Sequence, residues 1–152
     1  MLDIGTLAPE FTLPRDGGSD MSLKDLAGRK VVLYFYPKDN TPGCTTEALD
    51  FTALKPKFEA LNTIVIGISK DSVKKHDNFC KKHDLGIPLL SDENGTMCED
   101  YGVWQEKSMY GKTFMGIVRT TYLLDETGKI THVWPKVKVK GHAEAVLEAI
   151  SE

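Results

Sequence analysis

The sequence predicts an α/β fold, a central mixed β-sheet flanked by helices. Three observations carry that expectation. Two continuous apolar runs rich in β-branched residues, Val31 to Tyr36 and Thr63 to Ser69, read as strands buried on both faces. Each run is followed by a segment with helical signals. Late in the chain, two more strand-like runs flank Asp125-Glu126-Thr127-Gly128, a hairpin signal, and lead into an amphipathic C-terminal stretch.

Taken in order, Leu7 to Leu13 and the turn Asp16-Gly17-Gly18 indicate an N-terminal β-hairpin extension. After the first buried strand, Ala48, Phe51, Leu54, Phe58 and Leu61 recur at helical spacing. Pro56 falls inside that helix and is expected to kink it, because its ring meets the carbonyl four residues back. Asp71-Ser72 supplies capping chemistry for a helix reaching about His83. Pro88-Leu89-Leu90 reads as a short strand and Thr96 to Tyr101 as a short helix. Arg119 to Leu124 and Lys129 to Trp134 form the late strand pair, and His142 to Ile150 the closing helix. The order β-α-β-α, then an antiparallel β-β pair and a last helix, is the thioredoxin-like arrangement. With no repeat, low-complexity tract or linker, one domain over residues 1–152 is expected.

Composition narrows the function classes. The chain has 152 residues, 41% hydrophobic and 27% charged, with a formal net charge of -3. That balance gives no basic face for a nucleic acid and no polybasic cluster for anionic lipid. The alternating run Lys136-Val137-Lys138-Val139-Lys140 reads as the solvated face of an edge strand. The longest apolar runs are too short to span a bilayer, so no membrane association is expected. The N-terminus lacks the basic and apolar regions of a secretory signal, and a cytoplasmic location is expected. Three cysteines, Cys44, Cys80 and Cys98, are an odd count and too sparse for a disulfide-stapled scaffold. Such cysteines are catalytic, redox-active or simply buried.

Pro37-Lys38-Asp39-Asn40-Thr41-Pro42-Gly43-Cys44 joins the first long strand to the first long helix. It places Cys44 in the first helical turn, where unpaired N–H groups and the positive end of the helix dipole favour a thiolate. The prolines restrict the loop, and Gly43 lets the backbone approach a ligand. A local dithiol would need a second cysteine at position 41, which is Thr41. A hydroxyl forms no disulfide, but it can donate to a thiolate or a peroxide oxygen. A single activated nucleophile remains.

The pattern Pro37-x-x-x-Thr41-x-x-Cys44 after a hydrophobic strand resembles the active-site signature of the peroxiredoxins. The stretch from Phe35 through Cys44-Thr45-Thr46-Glu47 is similar to the bacterioferritin comigratory protein, or peroxiredoxin Q, subfamily. The likeness extends over nearly the whole chain, including Ala8-Pro9-Glu10-Phe11-Thr12-Leu13, Ile66-Gly67-Ile68-Ser69, and the block from Trp104 to Tyr122 that contains Arg119. It implies reduction of hydrogen peroxide and organic hydroperoxides through a Cys44 sulfenic acid. It makes Arg119 the active-site arginine, with Thr41 and the backbone N–H groups of Gly43 and Cys44 binding the peroxide and Pro37 shaping the site. Read without it, Arg119 would be a surface ion pair.

Many members of the subfamily place a resolving thiol five residues after the nucleophile; that position here is Leu49. Cys80, on the next helix, matches the placement used by another branch, so the resemblance implies an intrachain Cys44–Cys80 disulfide recycled by thioredoxin or a similar dithiol. Its basic neighbours His76, Lys81, Lys82 and His83 suggest an exposed thiol with a lowered pKa. Cys98 reads as a small buried hydrophobe. No cofactor is implied, and a monomer is expected for this branch.

Three other readings compete. His76, Cys80 and His83 share a helical face and suggest a transition-metal site, although no fourth ligand is near. A redox-relay or chaperone module on the same scaffold is a second, and a one-cysteine peroxidase resolved by an external thiol is the third. His132 and His142 read as surface or strand-end residues. Trp104, Tyr110, Phe114 and Met115 either line the peroxide entrance or belong to the core.

Overall fold

The structure, a computed structural model, describes residues 1–151. The N-terminal hairpin forms from β1 (Thr12–Pro14) and β2 (Asp20–Ser22), followed by a single 3-10 turn at Leu23–Leu26. The sheet is built from β3 (Lys30–Phe35), β4 (Thr63–Ser69), β5 (Leu89–Ser91), β8 (Thr120–Leu124) and β9 (Ile130–Trp134). Its order is β5-β4-β3-β8-β9, with β5, β4 and β3 parallel and β8 and β9 antiparallel to their neighbours. The chain therefore has the expected thioredoxin-like architecture.

Among the described residues four helices complete it: α1 (Pro42–Ala60), α2 (Val73–His83), α3 (Met97–Asp100) and α4 (His142–Ser151). Ser72 caps α2 by accepting the Lys75 N–H at 3.2 Å. Helix α1 continues through Pro56. Because β3 is central, its alternate residues split between two cores. Val31, Leu33 and Phe35 pack with the N-terminal hairpin and α3. Val32, Tyr34 and Tyr36 pack with α1, α2 and α4 through Ala48, Phe51, Phe79 and Val146.

Two expectations are corrected. The lysine run after β9 is not an edge strand: the sheet ends at Trp134, and Lys136 adopts a left-handed φ of 49°. Its lysines are solvated, but the Val137 N–H is tied to the Arg119 carbonyl at 2.9 Å. The block from Trp104 to Arg119 also contains a second hairpin that the sequence analysis did not assign, β6 (Trp104–Met109) with β7 (Lys112–Ile117). It turns at Tyr110-Gly111, both at positive φ.

Sheet packing leaves no room at Gly67. A Cβ there would stand 2.7 Å from the Tyr34 ring and 2.8 Å from a Leu89 methyl. Gly67→Ala should destabilise the protein by about 1–3 kcal/mol through overpacking. A lower denaturant midpoint with an unchanged slope would register it.

Candidate active site

The β3–α1 connection sits at the carboxyl end of the central strand, between a parallel and an antiparallel neighbour. Thr41 is the N-cap of α1, Pro42 and Gly43 begin the helix, and Cys44 follows in its first turn, 1% exposed. The backbone N–H groups there have no intrahelical partners, so they and the dipole favour negative charge at the helix entrance.

Arg119 lies just before β8, the antiparallel neighbour of β3, and its carbonyl accepts the Val137 N–H. Its guanidinium spans two groups on α1. Nη2 donates to Cys44 Sγ at 3.2 Å, and Nη1 donates to Glu47 Oε1 at 2.6 Å. Glu47, one turn beyond Cys44, faces the same way because residues three apart share a helix face. Gly43 permits this approach: a Cβ there would come within 3.3 Å of Arg119 Nη2. So the glycine accommodates the arginine as well as any ligand.

The Thr41 hydroxyl donates to the Lys38 carbonyl at 2.9 Å, leaving its oxygen as an acceptor. Sequence reasoning had assigned this proton to the thiolate or the peroxide. Pro37 lines an open cleft beside the loop with Lys38, Trp104, Lys107, Phe114 and Met115. Tyr110, by contrast, stands 97% exposed at the hairpin tip, in neither cleft nor core.

Glu47 is the residue whose part sequence reasoning missed. It is 1% exposed, and its second oxygen, Oε2, has no hydrogen-bond partner among the described residues. Burial pushes its pKa up to about 7, with Arg119 pulling the other way.

Cys80 departs from expectation. It is half-buried against the apolar cluster around Phe79, and its thiol is pushed up to about 12 by burial and then by Asp16, Asp39 and Asp77. Lys81 and Lys82 point around the helix instead of toward it, while His76 and His83, on its own face, are turned to Asp39 and Phe79. His76 is fully buried, and His83 stacks edge-on against Phe79. Among the described residues the potential ligands that converge are Asp39, Asp71 and His76, a set without Cys80 or His83. Cys98 is buried, as expected. His142 is not a surface residue: it pairs with the Thr121 hydroxyl at 2.8 Å, and burial, then Arg119, lower its pKa to about 4. His132 stacks on Trp134 at the sheet edge.

The AhpC/TSA family model matches residues 4–133. The chain belongs to the AhpC/TSA family. Within it, the chain is 53% identical to a putative peroxiredoxin Bcp of Coxiella burnetii, over 96% of this chain and 97% of that one. Peroxiredoxin Q of Xanthomonas campestris superposes with a TM-score of 0.89 at 50% identity, covering 93% of this chain and 89% of that one. A cysteine-to-serine variant of Xylella fastidiosa PrxQ superposes at 0.94 with 42% identity, covering 99% and 96%. The Xanthomonas structures include two cysteine-to-serine variants whose positions are as far apart in that chain as Cys80 is from Cys44 here. The chain is thus a peroxiredoxin of the Bcp/PrxQ type, an enzyme that reduces peroxides by thiol chemistry.

The buried carboxyl carries a linkage prediction. Below pH 4.5 Glu47 is protonated both folded and unfolded; between 4.5 and about 7 only the unfolded chain releases the proton. Stability is therefore lost as pH rises through that window, by roughly 3 kcal/mol in all. Glu47→Gln does not titrate, so its unfolding free energy relative to wild type should climb by that amount across the window. Denaturant titrations at a series of pH values would show it, and a constant difference would contradict it.

Proposed function

We propose that Cys44 is the peroxidatic nucleophile and that Arg119, Thr41 and the first amides of α1 bind the hydroperoxide. The observation that carries this reading is the guanidinium held 3.2 Å from a buried cysteine sulfur at a helix N-terminus. The Cys44 thiolate attacks the terminal peroxide oxygen: an S–O bond forms, the O–O bond breaks, and the departing alkoxide or hydroxide takes a proton. Water or an alcohol leaves, and Cys44 becomes a sulfenic acid. Thr41 Oγ accepts the hydroperoxide's O–H, which orients the molecule. Arg119 and the Gly43 and Cys44 N–H groups stabilise the charge that grows on the oxygens.

Cys80 then attacks the Cys44 sulfur; the S–S bond forms, the S–O bond breaks and water leaves. A dithiol of the thioredoxin class reduces the disulfide and is itself oxidised. The spacing shared with the two Xanthomonas variants supports Cys80 in this role. The open cleft at Pro37 offers Trp104, Phe114 and Met115, among lysines, to the organic part of a larger hydroperoxide. No helix of the described residues is long and apolar enough to cross a membrane. The enzyme works as a cytoplasmic monomer in a single domain.

A second reading has one observation in its favour. A half-buried thiol pushed up to about 12 is a poor nucleophile where it stands, as expected if an external thiol resolves Cys44 instead.

Peptide mapping after one equivalent of hydrogen peroxide separates the two: a Cys44–Cys80 linkage supports the first, and a Cys44 sulfenic acid with Cys80 free supports the second. Cys44→Ser should abolish turnover. Cys80→Ser should complete one turnover and stall with thioredoxin. Arg119→Met should lower the second-order rate with peroxide by about 10²–10³-fold, as for loss of one preorganised donor; an unchanged stopped-flow rate would remove Arg119 from the mechanism.

A further inference from the structure

The loop that carries Thr41 and the helix that carries Cys80 are bolted together by a buried charge pair. Asp39 lies two residues before Thr41, and His76 lies one helical turn before Cys80. The His76 ring is fully buried, with Nε2 facing the Leu90 carbonyl at 2.9 Å and Nδ1 facing Asp39 Oδ2 at 2.7 Å. A carbonyl oxygen only accepts, so Nε2 carries a proton. The other oxygen of Asp39 accepts the Tyr36 hydroxyl at 2.6 Å, and Nδ1 and Oδ2 share a proton between them. Burial opposes charge on the ring, but the bond to Asp39 outweighs it and the His76 pKa is raised. The Asp39 N–H in turn donates to Asp71 Oδ2 at 2.8 Å, just before the α2 cap.

This clamp loads both segments. On the loop side it fixes Asp39 beside Asn40, which turns the loop through a left-handed φ of 62°. On the helix side it pins the end of the first turn of α2, and with it the half-buried position of Cys80. A disulfide requires the two sulfurs to come within about 2.05 Å of each other. Both are free in this structure, one under Arg119 and the other packed against the cluster around Phe79. Neither segment moves independently while one ring is bonded to both.

We propose that the Asp39–His76 pair is a positioning latch: closed, it orders the peroxide-binding loop, and its opening gates the transfer of Cys80 onto oxidised Cys44. The inference rests on Cys44 and Cys80 having the roles proposed above. Loss of the latch acts with opposite sign on the two chemical steps. The loop loosens, so sulfenic acid forms more slowly; the helix is freed, so the disulfide closes faster.

The test is rapid quench of the reduced protein with excess hydrogen peroxide, followed by intact-mass and peptide analysis. It should be run on wild type, His76→Gln, Asp39→Asn, the double variant, and Ile130→Ala as a cavity control in the opposite core. Expected in both single variants is a slower peroxide-dependent step and a peroxide-independent disulfide step faster by about tenfold, the effect of a lost charge-assisted hydrogen bond. The double variant should add nothing further, since both changes remove one interaction. Asp39→Asn keeps the side-chain shape and serves if His76→Gln does not fold. Rates unchanged, rates shifted in the same direction, or equal acceleration by Ile130→Ala would each overturn the latch. A wild-type protein that forms no Cys44–Cys80 linkage would overturn the reading of Cys80, and the peptide map identifies that case separately.

Discussion

The structure depends most on one placement, a guanidinium held against a buried sulfur. Arg119 reaches Cys44 because β8 pairs with β3, so the residue entering β8 emerges beside the helix that leaves β3. Sheet topology therefore delivers the charge, and local sequence makes room for it. Gly43 withholds a Cβ, Glu47 anchors the second arm of the fork, and the Val137 N–H holds the arginine backbone from the far side. A lysine could supply the charge but not the fork, so it could not bridge the sulfur and Glu47 together.

Holding charge in a dry place is costly, and the cost appears around the site. Glu47 has one oxygen on Arg119 and one with no partner among the described residues, and its carboxyl is pushed up to about 7. Asp39, Asp71 and His76 form a second buried polar group a few residues along the loop. Each is a place where an apolar core would serve stability better. Their position at the two cysteine-bearing segments is what functional sites are expected to show: local rules broken where chemistry needs it.

Much of the fold was legible because the central strands bury both faces and carry that fact as unbroken apolar runs. The hairpin at Trp104–Ile117 was not, since its strands are largely exposed and no core face imprints an alternation. Cys44, Thr41 and Arg119 were legible through a motif and a likeness. Glu47 stood in the same motif, three residues from Cys44, and helix periodicity could have flagged it; its partner lies 72 residues away, which no local pattern reveals. The environment of Cys80 was misread because Lys81 and Lys82 were taken as neighbours in space, and because His76 and His83 on its own face are engaged by Asp39 and Phe79. On a helix, adjacent residues point about 100° apart, and Cys80 faces the apolar side. His142 failed for a similar reason: the first residue of a helix is exposed or buried according to what the helix packs on, here Phe51 and Trp134.

The two cysteines illustrate why sequence chemistry and site chemistry diverge. On the proposed mechanism they react in turn, never together, so the enzyme gains by keeping them unlike. Cys44 is buried under a cation at a helix entrance, ready for peroxide. Cys80 is half-buried among carboxylates that suppress its ionisation. A resolving thiol that was reactive in the folded state would compete for peroxide itself and be oxidised without purpose. Making its reactivity depend on leaving its place in α2 ties the second step to a conformational change, and the order of the reaction then follows from the order of the motions. That ordering needs something to hold the closed state until the first step is done, a demand that a buried ion pair across the two segments meets better than apolar packing, because it is broken only as a unit.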